Sequence, residues 1–346
     1  MAVQISRRRT VRAGGRIIAF MWARLRRWMP VLKILFTFVV LAGVAWFFAR
    51  ILTSDELRKT DLSRSPAQIL WDQTRAARPG DLVLAMALYL SGMAFSGLFW
   101  VGLLRAAGAP ISVGVGLRAY YISHLGKYTP GMGLPTVLRM TMAAAAGVRP
   151  GTAALTAAYE TLTTMAAGAL VAAVLIGWKT AGDPTMVWKA LGLLVLAGVP
   201  VLPGVFNPLV RRLSSRFTAG QPLPRLPAVA LPIGLVVTAC GWAFLGASLF
   251  AVTRALQASP APWSVYECLD CTAIAALSYV AGFVGQTPGG LGVREVILQQ
   301  FLVPRLGGEA PAVVAVLLLR VLWTAAELAA AGVLFWLPVK KRGSEV

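Results

Sequence analysis

Histidine, cysteine and acidic residues are all scarce in this chain. His124 is the only histidine, and the three cysteines, Cys240, Cys268 and Cys271, lie in or beside apolar runs. Cys268 and Cys271 have CxxC spacing, but a structural zinc site needs further thiols or imidazoles, and none accompanies them in sequence. The cysteines therefore read as small packing residues, and no metal or cofactor is expected. Charge is thin as well: Asp, Glu, Lys and Arg make up 13% of the residues, against about 25% in a soluble domain. An ordinary water-soluble domain is excluded. HExxH, GxSxG, a P-loop and the paired aspartates of a glycosyltransferase are also missing. With no catalytic constellation, the expectation is a protein that is not an enzyme.

What is present is apolar. The 346 residues are 58% hydrophobic, with a mean hydropathy of +0.71. Several runs approach or exceed the roughly 20 residues a helix needs to cross a bilayer. The expected fold class is an all-α polytopic membrane protein. A net charge of +20 invites a nucleic-acid reading, but its distribution argues for no nucleic acid. Residues 1–29 carry eight arginines and no acid, and Lys340, Lys341 and Arg342 follow the last apolar run. Juxtamembrane clusters of this kind follow the positive-inside rule and attract anionic membrane lipids. Three parts are expected: a basic cytoplasmic tail at 1–29, a transmembrane domain at 30–338 and a short basic tail at 339–346.

Taken in order, apolar runs at 31–48, 82–104, 152–178, 187–206, 228–252, 265–284 and 312–337 read as spans. The loop 207–227 holds Arg211, Arg212, Arg216 and Arg225 with no acid, which places it in the cytoplasm after four crossings. The segment 110–147 then contributes none. It carries Arg118, His124 and Lys127, breaks at Thr129–Gly133, restarts near Pro135 and stops at Gly147, so it reads as two half-helices that enter the membrane and return. A second break, GQTPGGLGVRE at 285–295, leads into a helix at about 293–303 stopped by Pro304. Keeping the C-terminal charges in the cytoplasm favours an even count of about eight transmembrane helices.

The two breaks share the tripeptide Thr-Pro-Gly, at 129–131 and 287–289, and each is followed by a further glycine and a helix bearing an arginine. Broken helices in corresponding positions of two halves are the sequence pointer to an inverted repeat with a ligand site at its interface. Helix starts after glycine-rich turns expose backbone N–H groups to an anion. Lys127, Arg139 and Arg294 add positive charge there, although Arg139 has a second reading as an interface residue that snorkels to water. Glu160, Glu295, Arg320 and Glu327 sit in apolar context, where an unpaired charge costs about 2.5–3.5 kcal/mol on insertion scales, so each needs a partner. Arg294 and Glu295 are neighbours on one helix and point about 100° apart, so each must bond another element. Arg320 and Glu327 share a helix face, and their reading as ion pairs that only fix packing stays open. His124 and Lys127 fall at i, i+3 on one face, with His124 a packing residue rather than a proton carrier.

HLGKYTPGMG at 124–133 and TPGGLGVRE at 287–295 resemble the lysylphosphatidylglycerol synthase transmembrane, or flippase-like, family, whose domain also forms the N-terminal part of the multiple peptide resistance factor. The resemblance covers nearly the whole chain after the basic tail. It implies about eight spans with re-entrant hairpins around a lipid-accessible cavity, in a bacterial cytoplasmic membrane. By residue it points to Lys127, Pro130, Gly131, Gly289, Gly290, Gly292, Arg294 and Glu295, with Glu160 as an acid in the following span. Thr161 stands where an arginine is usual in the family. The aminoacyl-transferring domain of the synthases is outside the resemblance, so synthesis of lysyl-lipid is not implied. The function expected is a lipid flippase or transporter that binds an anionic phospholipid or lipid-linked substrate, as a homo-oligomer or beside a glycosyltransferase partner. The rival readings are a non-transporting accessory subunit of an envelope glycolipid or polyprenyl-phosphate glycosyltransferase pathway, and an integral membrane enzyme built on Glu160 and His124.

Overall fold

A computed structural model describes residues 75–109, 111–128, 134–179, 184–202, 204–208, 224–260, 262–285 and 292–337, with isolated positions before residue 75. The chain divides into two compact units, Met1–Phe48 and Ala49–Val346, and every helix labelled below belongs to the second. The expected first span at 31–48, both tails, and Pro130, Gly131, Gly289 and Gly290 lie outside the described residues.

All the described elements are helical: α1 (Pro79–Ala106), α2 (Val113–His124), α3 (Leu134–Ala145), α4 (Pro150–Lys179), α5 (Pro184–Gly198), α6 (Ala230–Leu256), α7 (Val265–Val284), α8 (Val293–Leu306) and α9 (Glu309–Trp336). Five of them, α1, α4, α6, α7 and the part of α9 from Pro311, are long and apolar enough to cross a membrane, which makes this a multi-pass membrane protein. They coincide with five of the expected spans. The run at 187–206 does not form one long helix. It gives the 15-residue α5 and then a 3₁₀ turn at Val199–Val201. Pro200, which has no N–H to give, interrupts the α-helical ladder there. The five spans among the described residues therefore fall short of the expected eight.

The spans are apolar on nearly every side, so hydropathy does not choose their packing faces. Small residues do. A Cβ on Gly92 of α1 would lie 2.9 Å from the carbonyl oxygen of Gly241 on α6, and one on Gly241 would lie 2.9 Å from that of Gly92. The two backbones meet there. At Gly246 of α6 a Cβ would fall 2.3 Å from Cα and 2.5 Å from N of Thr272 on α7. Gly246→Ala must push those helices apart and is expected to destabilise the protein by about 1–3 kcal/mol, the usual cost of overpacking. Gly102→Ala, with nothing within 4 Å of the new methyl group, is the neutral control. Thermal unfolding in detergent compares the two.

Helix α9 sits at the centre: 72% of its span is buried, against 33% for α4. It packs on α1, α2, α6 and α8. Arg118 of α2 donates to the carbonyls of Phe335 (2.9 Å) and Leu337 (2.7 Å), placing a cation on the negative end of α9.

The segment 110–147 gives two short helices, and the expected break at 129–133 between them lies outside the described residues. Helices α2 and α3 have 12 residues each, too few to cross a bilayer core of about 30 Å at 1.5 Å per residue. A 3₁₀ turn, Leu125–Tyr128, leads from α2 towards the break. Gly147 closes α3 with φ 86°, while the N–H of Val148 reaches back to Ala143 O at 3.1 Å. In the second break α7 leads to Gly285 and α8 starts after Gly292, whose φ is also 86°. Pro304 does not stop α8. It lies inside the last turn, and the helix ends at Gly307, whose φ of 75° supplies the left-handed cap that a proline cannot.

Candidate functional site

Three buried carboxylates organise the interior, and each takes a cation from another helix. Glu160 of α4 is 2% exposed. Arg139 of α3 donates to its Oε2 at 2.6 Å, so Arg139 is a buried partner and does not snorkel. Tyr120 of α2 and Thr164 donate to Oε1, both at 3.2 Å, and Thr161 approaches Oε2 at 3.4 Å. Thr161, the residue next to this acid, thus faces the carboxylate itself. The Arg139 Nε donates to Ser123 Oγ at 3.1 Å, and its guanidinium lies 4.2 Å from the Tyr120 ring centre.

Glu327 of α9 collects groups from the first break. Lys127 Nζ lies 2.5 Å from Oε1, and Tyr128 donates to Oε2 at 2.8 Å. Tyr89 of α1 also donates to Oε1 and stacks on Trp323 with ring centres 4.5 Å apart. Lys127 therefore does not share its direction with His124. The 3₁₀ turn begins just after His124, which stacks on Tyr120 at 5.8 Å, while Lys127 turns to α9.

The third acid, Glu295, separates from its neighbour Arg294 as the helix geometry requires. One oxygen accepts the Gly292 N–H at 2.7 Å and caps the start of α8, and the other pairs with Arg320 of α9. The first anion at this helix start is thus the chain's own carboxylate. Arg320 and Glu327, on one helix face, go to different partners.

Arg294 is the exception. It is 4% exposed, its Nε and Nη2 make no hydrogen bond to the described residues, and no carboxylate among them pairs with it. Its guanidinium rests 3.5 Å from the Tyr279 ring centre and 4.8 Å from that of Trp323. In this group of buried charges four cations, Lys127, Arg139, Arg294 and Arg320, meet three carboxylates, and the surplus positive charge falls on Arg294. A separate cluster joins Asp270 of α7 to Lys179 of α4 (2.6 Å) and to Arg305 of α8, which also reaches Glu267.

Beside these clusters lies a partly open cavity, whose empty space of about 600 Å³ includes solvent at its mouth. Its wall includes Tyr89, Tyr120, His124, Arg139, Glu160, Trp242 and Tyr279, so it touches the first two ion-pair clusters and the ring under Arg294. Trp242 is held by a hydrogen bond from its Nε1 to Thr164 O at 2.9 Å and meets Tyr279 edge to face. These aromatic residues escaped the sequence reading. The available signal was a set of tyrosines in apolar helices, each with a hydroxyl that needs a partner when buried.

Of the residues expected at the site, the structure brings Arg139 and Glu160 together and joins Glu295 to Gly292, sends Lys127 to Glu327 and leaves Arg294 on two rings. Helix α3 packs on α2 and α4, and α8 packs on α7 and α9, so the helices after the two breaks belong to different neighbourhoods. A search of curated proteins finds no match to the chain. An interior of paired charges inside a multi-pass helical membrane protein agrees with the comparison that does succeed: the family model described as lysylphosphatidylglycerol synthase TM region matches residues 31–331, and the protein belongs to that family.

Proposed function

We propose that the protein moves a phosphate-bearing lipid between the leaflets of a bacterial cytoplasmic membrane, with its N-terminus in the cytoplasm. The observation that carries this reading is Arg294, a buried guanidinium with no carboxylate partner among the described residues, where Lys127, Arg139 and Arg320 each have one. Burying an arginine without a counter-charge is costly, and a lipid phosphate arriving from the bilayer supplies that charge with bidentate geometry. The cavity next to Tyr279 gives the rest of the headgroup a place out of the hydrocarbon. In this reading the segments around 129–133 and 286–291 are re-entrant elements of an inverted repeat, within a domain of about eight spans. Lys127 and Arg139, already engaged by Glu327 and Glu160, hold the wall of the site, and Arg294 takes the anion.

Arg294→Ala is the test. It breaks no ion pair among the described residues and removes cation–π contacts worth about 0.5–2 kcal/mol, so the variant is expected to fold. In proteoliposomes, transfer of a fluorescent phosphatidylglycerol between leaflets is expected to drop by about tenfold or more, the loss of at least about 1.4 kcal/mol of interaction. An unchanged transfer rate in a folded Arg294→Ala protein overturns the assignment.

A further inference from the structure

The cavity wall carries formal charges that are already spent. Carboxylate oxygens offer about four lone-pair sites in all. Glu160 receives Arg139 Nη1 and Thr161 on Oε2, and Tyr120 and Thr164 on Oε1, which fills them. No acceptor remains there for an ammonium group. An anion faces the converse problem. It must pull Arg139 from Glu160, which is 2% exposed and has no other counter-charge among the described residues. A charged group of either sign is therefore a poor occupant of this cavity.

The rest of the wall suits a ligand that is apolar on its faces and polar at its edges. Trp242 and Tyr279 meet edge to face, with ring centres 5.5 Å apart, and form a corner on which a ring can lie. The Nε1–H of Trp242 is tied to the α4 backbone, which fixes that ring in advance. The same cavity wall carries Ser96, Thr238 and His124. His124 makes no hydrogen bond to the described residues, and its ring nitrogens are left to meet a ligand.

We propose that the group entering this cavity is an uncharged sugar ring, so that the substrate is a lipid-linked glycosyl phosphate. The sugar's C–H face lies on the Trp242–Tyr279 corner and its hydroxyls turn to His124 and the neighbouring hydroxyl side chains. The phosphate stays on Arg294, on the other side of Tyr279. This assignment rests on the transport reading above and specifies its substrate.

The test uses the purified full chain in nanodiscs. It is titrated with farnesyl phosphate carrying one glucose, with farnesyl phosphate alone and with phosphatidylglycerol. The glucosyl compound is expected to bind about tenfold tighter than farnesyl phosphate, a difference of about 1.4 kcal/mol. Trp242→Leu is expected to erase that gain while leaving the affinity for farnesyl phosphate unchanged. Because Trp242 is also a packing residue, His124→Phe provides a second variant: it keeps a ring on Tyr120, removes the ring nitrogens and is expected to cut the gain several-fold. Equal binding of the sugar-bearing and sugar-free compounds overturns the glycosyl assignment, as does a gain that survives both variants. Phosphatidylglycerol transfer alongside such equal binding leaves the transport reading standing. Tight, sugar-dependent binding by a protein that transfers no lipid upholds the sugar site and overturns transport.

Discussion

Arg139→Met is expected to destabilise the protein by about 3–5 kcal/mol, one of the two largest effects of a single substitution within the buried charge network. The cost arises in its partner. Glu160 is 2% exposed and cannot reach water. Without Arg139 it retains hydroxyls from Tyr120, Thr161 and Thr164, which solvate a carboxylate but do not neutralise it. The double variant Arg139→Met with Glu160→Gln removes both charges and keeps an acceptor for the hydroxyls. It is expected to recover most of the loss, because an uncharged pair of similar volume is often neutral or better than a buried ion pair. Chemical denaturation of the three variants and the parent in detergent gives the coupling directly. Near-neutral behaviour of Arg139→Met alone would mean that Arg139 reaches the membrane interface, the snorkelling alternative that its sequence position also allowed.

The sequence marked such residues for a simple reason. A charge inside an apolar run is expensive, so Lys127, Arg139, Glu160, Arg294 and Glu295 stand out without any structure. Expense says that a partner exists and does not say which one. Arg139 and Glu160 are 21 residues apart, whereas Lys127 and Glu327 are 200 apart, and no local spacing links the latter. Even Arg320 and Glu327, on one face of α9, divide between Glu295 and Lys127. The aromatic wall was silent because Trp242, Tyr279 and Trp323 fit a lipid-facing position as well as an interior one. Helix α7 was legible to its end residues, since the apolar run expected at 265–284 ends before Gly285 and keeps Glu267 and Asp270 in its first two turns. The run at 187–206 was read too long because hydropathy averages over Pro200 and the backbone does not.

The shared Thr-Pro-Gly tripeptide hinted at a relation between the breaks, and the ion pairs give it a more specific form. After the first break, an arginine on the short helix α3 pairs with a glutamate on the following helix α4. After the second, a glutamate on the short helix α8 pairs with an arginine on the following helix α9. The connection is the same and the signs are exchanged. The exchange accounts for the surplus at Arg294: with Glu295 already committed to Arg320 and to the start of its own helix, the adjacent arginine has only aromatic faces to rest on. A charge-swapped pair is thus a way to dock each short helix, α3 and α8, on the helix that follows it, and it leaves Arg294 with no carboxylate partner among the described residues.

The remaining pair, Lys127 with Glu327, is asymmetric, and that asymmetry gives a sharp expectation. The Glu327 side chain is 0% exposed and the Lys127 side chain 26% exposed. Lys127→Met strands a carboxylate that cannot move, and is expected to cost about 3–5 kcal/mol. Glu327→Gln strands an ammonium that is already partly at the surface and can turn further out. The glutamine oxygen still accepts from one of Tyr128 and Tyr89 and its NH₂ donates to the hydroxyl oxygen of the other, so the loss is limited to the difference between charged and neutral hydrogen bonds, about 1–2 kcal/mol. Tryptophan fluorescence during denaturation ranks the two variants, with Trp323, stacked on Tyr89, reporting locally. The opposite ranking, with Glu327→Gln the more damaging, would show that Lys127 is the member held in place, and that the first break depends on Glu327 to anchor it rather than on Lys127 to neutralise α9.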